Sequence, residues 1–144
     1  MVVRDMAPGD MHSLAKLYAH FWGEQSDIEK MREKFAQLCE NDAYILLCAA
    51  EQDQLVGTVM GVVCEELYGD CQPFLLLENM VVDGTKRKKG IGRALYTELE
   101  RRARGKGCSQ VILVTETYRE DACAFYESLG FHPTANKGFK KKFE

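Results

Sequence analysis

The stretch VVDGTKRKKGIGRALYTELE, residues 81–100, passes from one kind of structure to another within a single short segment. It begins β-branched, runs through Gly84 and the basic cluster Lys86, Arg87, Lys88 and Lys89, and reaches Gly90 and Gly92. From there Ile91, Ala94, Leu95, Leu99 and Ala103 recur at helical spacing, so 90–104 reads as an amphipathic helix ended by Gly105 and Gly107. Upstream, PFLLLENMVVD (73–83) reads as a strand that Gly84 breaks. Downstream, QVILVTE (110–116) is almost wholly apolar, the pattern of a strand covered on both faces. Strand, helix and strand form a βαβ unit, which predicts that the two strands run parallel.

The rest of the chain extends that unit. VVRDM (2–6) is a candidate first strand, and PGDMHSLAKLYAHFW follows as a helix with Asp10 as N-cap and Leu14, Leu17, Tyr18 and Phe21 on one face. A second helix over 26–40 carries Ile28, Met31, Phe35 and Leu38. The period then changes to that of a hairpin, with strands 43–51 and 55–66 joined by a polar turn at Gln52, Asp53 and Gln54. A helix near 120–129 stops at Gly130, and Phe131–Ala135 and Gly138–Phe143 read as two closing strands. The order βααβββαβαββ predicts an α/β sandwich with a central mixed sheet, in one domain over 1–144.

Composition sets the class. A chain of 144 residues, 46% hydrophobic and 28% charged, can bury a continuous core. No apolar leader and no run of ~18 apolar residues appears, which predicts a cytoplasmic protein with no membrane partner. Cys39, Cys48, Cys64, Cys71, Cys108 and Cys123 contain no C-x-x-C pair and read as buried free thiols. His12, His20 and His132 show no paired-ligand spacing, so no metal is predicted.

The glycine turn carries the chemistry. Formal charge is −3, and because Lys86, Arg87, Lys88, Lys89 and Arg93 supply +5, the remainder sums to −8. A strand, a glycine turn and a helix place backbone N–H groups at the positive end of a helix dipole, which suits phosphate. The spacing is not that of a Walker A loop, since Ile91 follows Gly90, nor of G-x-G-x-x-G, since Arg93, Ala94 and Leu95 follow Gly92. A solvated basic turn remains an alternative, as does a nucleic-acid patch. The acidic remainder and the lack of interleaved aromatics argue against the latter, so no nucleic-acid partner is predicted.

Arg87-Lys88-Lys89-Gly90-Ile91-Gly92, after a strand ending VVD and before a helix beginning RAL, resembles the R/Q-x-x-G-x-G/A acetyl-CoA motif of the GNAT superfamily of N-acetyltransferases. ACAFYESLGF (122–131) resembles that family's second signature, and the element order matches from end to end. The resemblance implies an acyltransferase using acetyl-CoA, with no metal. The main chain of 75–82, at Met80, Val81 and Val82, would pair with the pantetheine arm, and the N–H of Met80 or Val81 would face the thioester oxygen. In this family that strand is bulged and splays from its parallel neighbour, here 110–116. Arg87, Lys88, Lys89, Gly90, Ile91, Gly92 and Arg93 would hold the pyrophosphate. Arg119 stands where the family often has Asn.

Transfer to an amine needs a base, a polarised carbonyl and a proton for the departing thiolate. Glu78, the sole acid within LLLENMVV, is the candidate base or a substrate contact; its alternative is an edge or solvent-facing residue of an alternating strand, since it shares a face with Leu76 and Met80. Glu116 is the second candidate. Tyr126 is the candidate general acid by the resemblance; its alternative is a core stripe with Ala122, Phe125 and Leu129. The linker HFWGEQSDIEK (20–30) offers Trp22, Glu24 and Asp27 to a cationic acceptor, either a small-molecule or a peptide amine. A non-catalytic acyl-CoA sensor would keep the turn and differ at Glu78 and Tyr126. Dimerisation is common in the family.

Overall fold

A computed structural model describes residues 1–87 and 89–144. Its dense contacts fall into two units, Met1–Ile112 and Leu113–Glu144.

The first unit is a five-stranded sheet in the order β1-β2-β3-β4-β5, with strands β1 (Val2–Asp5), β2 (Tyr44–Glu51), β3 (Gln54–Cys64), β4 (Phe74–Val82) and β5 (Val111–Ile112). Neighbours from β1 to β4 are antiparallel, and β4 and β5 are parallel, joined through α3 (Ile91–Gly105) as the βαβ reading requires. α1 (Met11–Trp22) and α2 (Ile28–Cys39) lie between β1 and β2 in the chain. The hairpin turns at Gln52 and Asp53, both with positive φ (51° and 64°), the conformation whose twist matches the flanking strands. Asp10 stands at the N-cap position of α1 as expected, but its carboxylate makes no cap hydrogen bond and instead turns back to accept from Arg4 and from the Ala7 N–H.

Alternation along β3 assigns the helices to opposite faces. A Cβ built on Gly57 would meet Ile91 and Leu95, and one on Gly61 would meet Leu99, so the face bearing Gly57 and Gly61 packs on α3. Intervening Thr58 and Met60 point the other way. Met60 lies opposite Leu46, which belongs with Met11, Leu14 and Phe35 to the cluster of α1 and α2. The α3 face holds Leu47, Val59, Leu75, Leu95 and Leu99, each fully buried. Tyr96 is buried as well, where the sequence pattern pointed to Ala94, which is half-buried. Polar groups of α3 form ion pairs, Glu98 with Arg101 and Arg102, and Arg102 also with Asp5 of β1.

The second unit contains α4 (Glu120–Ser128) and no strand among its described residues. Three expectations are corrected here. Strand 110–116 is reduced to Val111–Ile112, and Ile112 and Val114 are exposed because β5 is the sheet edge rather than a strand covered on both faces. Closing strand 131–135 is replaced by a turn, in which the His132 ring nitrogen Nδ1 accepts from the N–H groups of Thr134 and Ala135. Closing strand 138–143 does not form either; Phe139 and Phe143 are 85% and 92% exposed beside Lys140, Lys141 and Lys142, so burial offers nothing to offset ordering that segment. The cysteines are all free, but only Cys48 is buried.

Gly61→Val puts side-chain atoms into space that Leu99 and Leu75 occupy and should destabilise the fold by about 1–3 kcal/mol in a urea melt. Arg101 and Arg102 hold Glu98 down to about 2 from 4.5, and Arg4 lowers Asp10. A carboxylate depressed in the folded state contributes stability above its unfolded pKa and loses it as pH falls. Melting midpoints should therefore drop progressively below about pH 5, and less steeply in Glu98→Gln.

Candidate active site

β4 departs from a regular ladder in the middle. Thr58 pairs with Val81 and Met60 with Glu78, so Val59 alone faces two residues, Asn79 and Met80. The extra residue is a β-bulge on β4, and Asn79 adopts φ +53°, a left-handed conformation that Asn tolerates better than most residues. Its consequence is a change of face. Leu76 and Glu78 share the side of Met60, as the alternation predicts, but after the bulge Val81 rather than Met80 stands opposite Thr58. The grouping of Met80 with Leu76 and Glu78 is thereby corrected. On the other edge the parallel register covers Leu75 with Val111 and Leu76 with Ile112, then β5 ends. From Leu77 onward β4 has no partner in β5, and its main-chain groups on that side are left by the ladder for another extended backbone.

β4 then runs into the glycine turn. The Asp83 carboxylate accepts from the Thr85 N–H (2.9 Å) and hydroxyl (2.8 Å), shaping one turn of 3-10 helix over Gly84–Lys86. Lys86 pairs with Glu51 of the β2–β3 hairpin at 3.1 Å. Gly90 is the N-cap of α3 with φ +81°, which only glycine adopts without strain. Having no side chain, it cannot accept from the first-turn N–H groups of α3, where Ile91, Gly92 and Arg93 begin the helix. Arg87, Lys89 and Arg93 are exposed around this mouth. Lys88 lies outside the described residues.

On the α1 face, half-buried Glu78 shares its side of the sheet with Met60 and Thr58. Tyr18 packs there against the α1–α2 cluster, with Thr58 and Asn79 as polar neighbours of its hydroxyl; burial pushes its pKa up, and those neighbours partly oppose the shift. Trp22 ends α1, 46% exposed, with its ring 5.2 Å from Tyr18 and 5.1 Å from Phe21. Gly23 closes the helix in the left-handed conformation, Glu24 is exposed beyond it, and Asp27 caps α2 by accepting from the Lys30 N–H. Asp27 is therefore committed to the helix terminus.

In the second unit Tyr126 is half-buried on α4, its ring 5.3 Å from Phe125 and 5.7 Å from Phe131. Its carbonyl accepts from the Leu129 and Phe131 N–H groups where α4 ends. Glu116 is exposed and pairs with Arg119 at 3.3 Å. That pair places Arg119, the departure from the family pattern, beside a carboxylate. The bulge at Asn79 was missed from sequence. An Asn inside a β-branched and apolar run was the available signal, because Asn disfavours strands and favours positive φ.

A mixed sheet whose bulged strand turns through glycines into a helix without a side-chain cap defines the class of fold. Residues 11–131 match the Acetyltransferase (GNAT) family, and the chain belongs to it. A solved acetyltransferase structure from Agrobacterium tumefaciens str. C58 superposes with a TM-score of 0.91 at 26% identity, covering 99% of this chain and 100% of that one. Among curated relatives, mycothiol acetyltransferase of Segniliparus rotundus is 34% identical over 109 residues, 72% of this chain and 39% of that protein. Human N-acetyltransferase 8 is 40% identical over 65 residues, 45% of this chain and 29% of that protein. The chain thus spans less than half the length of these curated relatives.

Proposed function

We propose that the protein is an acetyl-CoA-dependent N-acetyltransferase, working as one domain over 1–144 and acylating a primary amine by direct attack in a ternary complex. One observation carries this reading: the half of β4 that β5 leaves unpaired continues directly into the glycine mouth of α3. An extended pantetheine arm suits the first feature and a pyrophosphate the second. Acetyl-CoA supplies an activated acetyl thioester. Backbone N–H groups at Ile91, Gly92 and Arg93, with Arg87, Lys88 and Lys89, hold the phosphates; Met80, Val81 and Val82 align the arm.

The bulge gives the reaction its electrophilic assistance, because an N–H of Met80 or Val81 released from β3 can donate to the carbonyl oxygen as negative charge develops there. Glu78 accepts a proton from the attacking ammonium through water, so that a neutral amine forms the C–N bond. Tyr126 gives its hydroxyl proton to the sulfur as the C–S bond breaks, and the second proton shed by the acylated nitrogen as it becomes an amide returns to the Tyr126 phenolate through water. Exposed Trp22 and Glu24 offer an aromatic face and a carboxylate to a cationic small-molecule or peptide amine. Glu116 is a weaker partner for it, being paired with Arg119.

Acetyl-CoA at about a hundredfold excess over its Kd should raise the melting temperature by on the order of 5 °C, and Gly92→Val should remove the shift. An unshifted wild-type protein at millimolar acetyl-CoA would overturn the assignment. In a thiol-release assay against a panel of amines, Tyr126→Phe and Glu78→Gln should each lower kcat by about 10²-fold with acetyl-CoA affinity nearly unchanged. A wild-type protein that binds acetyl-CoA but releases thiol with no amine would instead identify a sensor.

A further inference from the structure

Residues 137–143, KGFKKKF, have no part in acetyl transfer as derived above. Phe139 and Phe143 are 85% and 92% exposed. One exposed ring is ordinary, but two placed four residues apart in so short a segment make an apolar patch. The segment belongs to no strand or helix. Lys137 stands 5.8 Å from the centre of the Phe139 ring, within cation–π range. Lys140, Lys141 and Lys142 enter no ion pair among the described residues. Rings and ammonium groups alike meet only water.

Spacing sets the shape of this patch. Side chains four apart share a side in an extended chain and a face in a helix, so Phe139 and Phe143 fall together in either conformation. The lysines between them have long apolar stems, which can carry their charges outward while the rings go deeper. Charge is concentrated here as well. Four lysines against Glu144 give 137–144 a formal charge of +3, so the remainder of the chain sums to −6. At physiological ionic strength the screening length is about 8 Å, and a surface touching this segment therefore feels its positive charge before the acidic remainder.

The partner must take apolar rings and cations from a segment with no regular backbone to fix their geometry. A polynucleotide offers phosphates, but stacking relies on rings held along a groove that tracks the strand, and 137–143 builds no groove. An anionic bilayer asks for no fixed geometry. Its acyl boundary accepts the rings and its acidic headgroups the lysines. The expectation of no membrane partner came from the lack of an apolar span, and no helix among the described residues is long and apolar enough to cross a membrane. Lying on a surface makes a different demand.

We propose that residues 137–143 dock the protein on an anionic lipid bilayer, with the Phe139 and Phe143 rings entering the boundary between headgroups and acyl chains and Lys137, Lys140, Lys141 and Lys142 meeting acidic headgroups. The attachment is peripheral and reversible, because two rings and four lysines fall far short of a spanning helix. It is independent of the acetyltransferase reading, since none of these residues belongs to the proposed coenzyme or catalytic set.

The full chain is sedimented with vesicles of phosphatidylcholine alone and of phosphatidylcholine with phosphatidylserine, at low and at raised salt. It should partition onto the serine-containing vesicles only, and less as salt rises. The triple variant Lys140→Gln, Lys141→Gln, Lys142→Gln should lower the partition coefficient about fivefold per lysine removed. Phe139→Ser with Phe143→Ser keeps every charge and should still lower it by about tenfold or more. The urea midpoint of that pair should match the wild type, because neither ring is buried. A wild type that ignores anionic vesicles, a phenylalanine pair that binds them undiminished, or a pair that unfolds at lower urea each overturns the proposal. If Arg87→Gln with Lys89→Gln abolishes binding that the phenylalanine pair retains, the glycine turn is the adsorbing patch and the proposal falls. A fluorescent single-stranded oligonucleotide is titrated in parallel. Should it bind in a phenylalanine-dependent way while vesicles do not, the partner is a polynucleotide and the bilayer is excluded.

Discussion

α3 lies closer to the sheet at Gly57 and Gly61 than any side chain at those two positions of β3 would permit. Even a single carbon at Gly57 would come within 2.9 Å of Ile91, and one at Gly61 within 2.7 Å of Leu99. Glycine here is used for its absence of volume, and the gain is a buried seam of Leu95, Leu99, Val59 and Leu75 with α3 held flat against it. Everything at the mouth of α3 inherits that placement. Its N-terminus is fixed relative to the end of β4, so the distance between bulge and glycine turn, the span the proposed coenzyme site would cover, is set by packing rather than by the loop.

The loop itself is held from both ends. Asp83 fastens its start through Thr85, and the Lys86–Glu51 pair ties it to the β2–β3 hairpin. Both contacts are partly solvated, and each contributes little free energy. Their value is conformational: they leave Arg87 and Lys89 exposed at the turn while one of the cluster's cations is neutralised locally. Some of the chain's carboxylates are engaged elsewhere, as Glu98 is by Arg101 and Arg102.

Most of the first unit was legible from sequence because its signals are local. Hydrophobic spacing marked the helices, Gln52 and Asp53 marked the hairpin, and Gly84 and Gly105 marked the ends of β4 and α3 within a residue or two. What escaped depended on pairing. β5 was read as long and buried from five apolar residues, yet a strand's extent is decided by its neighbour, and β4 offers parallel register only at Leu75 and Leu76. Phe131–Ala135 and Gly138–Phe143 read as closing strands, but a short segment commits to a strand only when a sheet edge accepts it. At the site, the glycine turn and Glu78 stood out by composition. The bulge did not, since it is defined by the pairing of β4 with β3, where Val59 faces both Asn79 and Met80. Family membership supports the proposed roles of Tyr126 and the basic turn.

The two faces of the sheet also differ in material. Against α3 the packing uses branched aliphatics and missing carbons, a seam that admits almost no substitution. Against α1 and α2 it uses Met6, Met11 and Met31, with Met60 on the same side of β3. Methionine is unbranched and conformationally adaptable, so that layer can be reshaped by single changes at little cost. The face packed on α1 and α2 is thus the more adaptable one, and the face packed on α3 the more constrained. The same softness carries a liability, because oxidation to the sulfoxide would turn those flexible side chains polar and loosen the α1–α2 layer first.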